Sequence, residues 1–152
     1  MKARLAVLIL LIFTLTGLAC SRDVYADKPR IGGSLVSGFG AIPGDSSIER
    51  QRFGYEVSLS NTGATLPAGW RWEVTVSPEL LTRALTVQQD AASGTAGKDS
   101  AWVQGETLGL KGYVDFNAAG LTKDTIAAIK EPVVVRIIDP AGAEVARMPV
   151  GH

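Results

Sequence analysis

The chain has 152 residues, with 15 basic and 15 acidic side chains and a formal net charge of zero. One cysteine and one histidine exclude an internal disulfide and a zinc site built on His and Cys. With no basic cluster in the body of the chain, nucleic-acid binding has no electrostatic footprint.

The first twenty residues differ from everything that follows. Lys2 and Arg4 precede an uncharged apolar run from Leu5 to Ala19, the pattern of a secretory signal with a basic start and an apolar centre. A spanning helix needs about 20 apolar residues, and this run stops short of that at Cys20, before Arg22 and Asp23. Residues 1–19 therefore read as a signal peptide rather than a permanent anchor. Removing Lys2 and Arg4 with it leaves the mature chain slightly acidic.

The sole cysteine stands where the apolar run ends. Gly17-Leu18-Ala19-Cys20 resembles the lipobox of bacterial lipoprotein precursors, with a small residue before the cysteine. It departs from the usual pattern at Gly17, where leucine is preferred. The resemblance implies that the Cys20 thiol receives a covalent diacylglyceryl lipid and that cleavage makes Cys20 the first residue. No cofactor beyond that lipid is expected. Two acyl chains suit stable anchoring, since burial is worth about 0.8 kcal/mol per methylene and one myristoyl chain holds only marginally. The implied address is the outer face of a membrane in the bacterial cell envelope. The rival reading is secretion after cleavage at Val24-Tyr25-Ala26, which would release a protein starting at Asp27 and reduce Cys20 to an incidental thiol.

Residues 20–33 read as the lipidated cysteine and a polar tether, and residues 34–152 as one domain. Ser34 to Ser47 suggests an edge strand ended by a turn at Pro43-Gly44-Asp45. A period of two then sets in. Phe53, Tyr55, Val57 and Leu59 alternate with polar or small residues up to Asn61-Thr62-Gly63, and Trp70, Trp72, Val74 and Val76 do the same up to Ser77-Pro78. A shorter strand is expected around Ala84 to Val87. The polar run Gln88 to Ser100 is long for a loop, and its small, weakly hydrophobic residues favour disorder over a binding role. Leu108, Leu110, Gly112, Val114 and Phe116 share a parity, and Val133–Ile138 and Val145–Val150 flank the hairpin punctuation Asp139-Pro140-Ala141-Gly142. Between them, Thr122 as N-cap, Asp124 in the first turn and Ile126 and Ile129 three apart predict one short helix.

About seven short strands with turn signals between them predict an all-β, immunoglobulin-like antiparallel sandwich. The phrase Tyr55-Glu-Val-Ser-Leu-Ser-Asn-Thr-Gly63 resembles strand ends in Ig-like modules of bacterial surface proteins, and Trp72 would take the place of their core tryptophan.

Chemistry is sparse. His152 is the last residue, so no serine or cysteine nucleophile has an internal histidine base, and a metal site on that terminal residue is not expected. The glycine-rich stretch from Gly32 to Gly40 lacks the lysine and the following helix of a phosphate loop. Glu56, Glu73 and Asp115 alternate with core positions, as on a solvated sheet face. An enzyme is not expected. The surviving class is a binding or structural module that engages an envelope protein. The alternative is a polysaccharide-binding module, with Trp70, Trp102 and Tyr113 as an aromatic platform; packing of these same residues in the sandwich is the plainer reading.

Overall fold

The computed structural model describes residues 27–89 and 92–151. The expected signal peptide, Cys20, the alternative cleavage site at Val24-Tyr25-Ala26 and His152 lie outside the described residues.

Eight strands and two helical turns follow in order: β1 (Ile31–Ala41), β2 (Arg50–Asn61), β3 (Arg71–Val76), α1 (Pro78–Leu81), β4 (Ala84–Gln89), β5 (Ser93–Gly94), β6 (Thr107–Asn117), α2 (Lys123–Ala127), β7 (Val133–Ile138) and β8 (Glu144–Val150). All pairings are antiparallel. One sheet runs β1-β2-β6-β4, with two-residue β5 added to β6, and the other runs β3-β7-β8. That order is the arrangement of a constant-type immunoglobulin-like sandwich, four strands facing three.

The alternation seen in the sequence is what builds the core. Phe53, Tyr55, Val57 and Leu59 on β2 face inward beside Leu108, Leu110, Val114 and Phe116 on β6, all buried. Val133, Val135 and Ile137 on β7 close the other side. Phe39 from β1 joins them, its ring 4.7 Å from Phe53 and 5.9 Å from Phe116. Fully burying one such side chain is worth about 1.5–3 kcal/mol, so a domain without disulfides can be held by this layer.

The punctuation also behaves as read. Asp139 Oδ1 accepts from the Ala143 amide at 2.8 Å, and Gly142, at φ 89°, closes the β7–β8 turn. Thr122 caps α2 by accepting from the Thr125 amide at 3.2 Å.

Three boundaries differ from the sequence reading. The tether ends before Ile31, because Gly32 and Gly33 are already in β1 opposite Ser60 and Leu59. The glycine-rich stretch is thus a strand, and Gly33 is there for closeness: a Cβ at this position would run into the Ser58 carbonyl oxygen. Second, Pro78–Leu81 is a helical turn beside the one expected at Lys123–Ala127, so the described residues hold two short helices. Ser77 accepts from the Leu80 amide and Pro78 sits where its missing N–H is harmless. Third, the run Gln88 to Ser100 is largely tied down where it is described. β4 extends to Gln89, β5 pairs with β6, and the Thr95 and Ala96 amides both donate to the Thr107 carbonyl at 2.9 Å.

Gly33→Ala is expected to lower stability by about 1–3 kcal/mol through backbone displacement. Gly38→Ala on the same strand meets open space and should cost far less. Thermal unfolding of the pair checks the difference.

Candidate functional site

The proposed aromatic platform does not form. Trp70 and Trp102 are 1% and 0% exposed, with ring centroids 4.8 Å apart. Each satisfies its indole N–H internally: Trp70 donates to the Ser100 carbonyl and Trp102 to the Glu106 carbonyl, both at 2.9 Å. Tyr113 faces the opposite way, on the outer surface of the five-stranded sheet. The reason is positional. Trp102 forms an isolated antiparallel bridge with Leu66, outside any strand, and that bridge turns its ring into the sandwich end. Trp72 does lie on the third strand, half-buried, with the Lys98 ammonium 3.8 Å from its ring centroid.

Asn61 organises this end of the molecule. It is completely buried. Its Nδ2 donates to the carbonyls of Ala64 and Trp102 at 2.8 and 2.9 Å, and its Oδ1 accepts from the amides of Gly63 and Arg30. One side chain thus ties the end of β2, the approach to β1 and the tryptophan loop together. The sequence had marked Asn61 only as turn punctuation.

On the outer face of the larger sheet, Arg52 and Asp115 are directly opposite on β2 and β6. The guanidinium grips the carboxylate through two bonds of 2.7 and 2.9 Å and stacks 3.5 Å from the centroid of the Tyr113 ring. The bond to Asp115 raises the Arg52 pKa above its usual value despite the opposing effect of burial, which keeps the cation fixed. Tyr113 in turn donates its hydroxyl to Gln88. Asp115 is therefore a covered ion-pair partner, not the freely solvated carboxylate expected from alternation. Beside this group, Gly38 and Gly54 are paired with open space above both. With Val36, Tyr113, Glu56 and Lys111 they outline a shallow trough of about 470 Å³.

A more apolar concavity lies at one pole. It holds about 450 Å³ between the β1–β2 connection and α2, lined by Phe39, Ala41, Ile48, Ile126 and Ala127, with Arg50 and Lys123 among its polar members. Ile48 is 88% exposed. Arg50 is bound to Asp45 at 3.1 Å.

No family model, curated protein or solved structure matches the chain. Among the described residues no group of three or more His, Cys, Asp or Glu side chains is arranged to hold a metal, and no helix is long and apolar enough to cross a membrane.

The sequence missed the apolar pocket at the pole and the Arg52–Asp115 clamp. Ile48 offered a signal, as an isolated apolar residue in the polar run Gly44 to Arg50. The clamp offered none, since its partners are 63 residues apart.

Proposed function

We propose that the protein is a lipid-anchored binding module of the bacterial cell envelope that engages a protein partner through the apolar pole around Ile48. The observation that carries this reading is the placement of that pole. β1 starts at Ile31, where the chain comes from Cys20, and ends at Ala41 in the wall of the pocket. Eleven residues of strand put the two ends about 35 Å apart, so a tether at one end leaves the pocket clear at the other. An exposed isoleucine beside an apolar hollow is the kind of anchor-and-pocket pair that concentrates binding energy. With Arg50 held by Asp45, Lys123 at the same hollow suits a partner that presents an apolar side chain next to a carboxylate. The burial of Trp70 and Trp102 removes the support for a sugar-stacking surface.

Two measurements test the reading. The mass of the mature N-terminal peptide from native membranes should show diacylated Cys20; a free Asp27 terminus would replace the anchored reading with a secreted one. For the pole, a photo-crosslinker placed at Ser46, an exposed residue of the pocket wall, should give one defined adduct in cells. That adduct should be lost with Ile48→Asp and kept with Val87→Asp, an exposed change on β4. An adduct that ignores Ile48→Asp would remove the pole as the binding surface.

A further inference from the structure

We propose that the free edge of β1 pairs with β1 of a second copy of this chain, in antiparallel register about Val36, to make one continuous sheet across two protomers. The inference goes beyond the partner-binding reading and does not depend on it.

An exposed strand edge is a template for another strand, and proteins blunt such edges with charges, proline or bulges. Three of the four edges here are blunted. β3 carries Arg71 and Glu73, β8 carries Glu144, Arg147 and Pro149, and β4 has a register irregularity between Ala84 and Thr86. β1 is different. It runs for 11 residues, Ile-Gly-Gly-Ser-Leu-Val-Ser-Gly-Phe-Gly-Ala, without a charge or a proline. Its ladder is made with β2 alone, and among the described residues no other main-chain hydrogen bond reaches it. β8 passes nearby but belongs to the other sheet, so an added strand would continue the plane of β1 itself.

The occupant follows from the sequence of the edge. Antiparallel pairing about Val36 sets Val36 against Val36 of the second copy. It also sets Phe39 against Gly33, Ile31 against Ala41, and Leu35 against Ser37. Each bulky inward residue then meets a small one. Phe39 beside Gly33 is the useful case, because Gly33 admits no side chain of its own and a cross-strand aromatic covers a strand glycine. On the outer face Val36, 73% exposed, meets its own copy between Ser34 and Gly38. No like charges oppose one another at any position. The two-fold axis puts one apolar pole at each end of the dimer, with Ile31 of the second copy beside Ala41 in its wall. Residues 21–30 can extend about 35 Å from each protomer, enough for both anchors to reach a common surface.

The test uses the full chain in its native membrane. Both maturation routes read from the sequence remove the Cys20 thiol, by acylation or by cleavage, so Val36→Cys introduces the sole free one; the parent protein, oxidised alongside, should stay monomeric. Opposed residues on antiparallel strands have Cα atoms about 4.5–5.5 Å apart, within disulfide range. Mild oxidation should convert most of Val36→Cys to a covalent dimer, while Val87→Cys on the β4 edge stays monomeric. Ser34→Cys should remain monomeric alone and crosslink when co-expressed with Gly38→Cys, which fixes the register. Val36→Lys, at a position exposed enough to spare the fold, should shift the protein in detergent to a monomer by light scattering. A monomeric Val36→Cys after oxidation, or equal crosslinking at Val87, would overturn the proposal.

Discussion

Asn61→Asp is expected to lose about 3–5 kcal/mol at neutral pH, the scale of a buried charge left without compensation. The substitution keeps the shape and replaces an amide donor with a carboxylate oxygen. That oxygen would face the carbonyls of Ala64 and Trp102, at the 2.8 and 2.9 Å that now separate them from Nδ2. Folded domains hold only about 5–15 kcal/mol in total, so a large share of the molecules should be unfolded or close to it. The pH dependence has a definite sign. Burial and two facing acceptors raise the carboxyl pKa of the folded variant above its unfolded value of about 3.9. The folded state therefore binds the extra proton, and the variant's stability falls as pH rises through the interval between the two values. Urea unfolding of Asn61→Asp should show a higher midpoint at about pH 4 than at pH 7, relative to the parent protein measured at each pH. A midpoint that tracks the parent at both would mean that Asn61 is not the buried tie described above.

Trp102→Ala is the second large effect, at about 3–5 kcal/mol. The indole is fully buried against Trp70, and its N–H is bonded to the Glu106 carbonyl. Truncation leaves a cavity, removes a ring contact and strands an acceptor. The main-chain bridge between Trp102 and Leu66, with bonds of 2.8 and 3.0 Å, survives the change, so the loss is a measure of the ring alone. Tyr113→Ala, on the outer face, should cost much less, although it releases Arg52 from its stack. Denaturant unfolding of the two variants separates a core tryptophan from a surface platform. A Trp102→Ala protein as stable as the parent would restore the platform reading for that residue. The same variant tests whether the loop from Ser100 to Glu106 is held by its tryptophan: loss of the ring should raise amide exchange at Thr107 and Leu108.

Much of the fold is legible in the sequence because its signals are local. The alternation of Phe53 to Leu59 and of Leu108 to Phe116 requires only that one face of a strand be wet and the other dry. Thr122 and the segment Asp139 to Gly142 act through bonds to residues three or four positions away. The expectation of an export signal in residues 1–20 likewise rests on local composition alone. What the sequence determined by itself was therefore the sandwich, the order of its strands along the chain, and the expectation of an anchored address.

The tertiary structure decided the rest. Parity says that Trp70 and Trp72 point the same way, but Trp70 is closed over by Trp102, from 32 positions further along the chain, and Trp72 is left half-buried. Asn61 looks like any turn residue until Arg30, Ala64 and Trp102 are brought around it. Arg52 and Asp115 become a clamp only because β2 and β6 are neighbours in the sheet. The pocket at Ile48 and the open edge of β1 exist only once the sheets are packed. Each depends on which distant surfaces meet, and a local pattern carries no information about that.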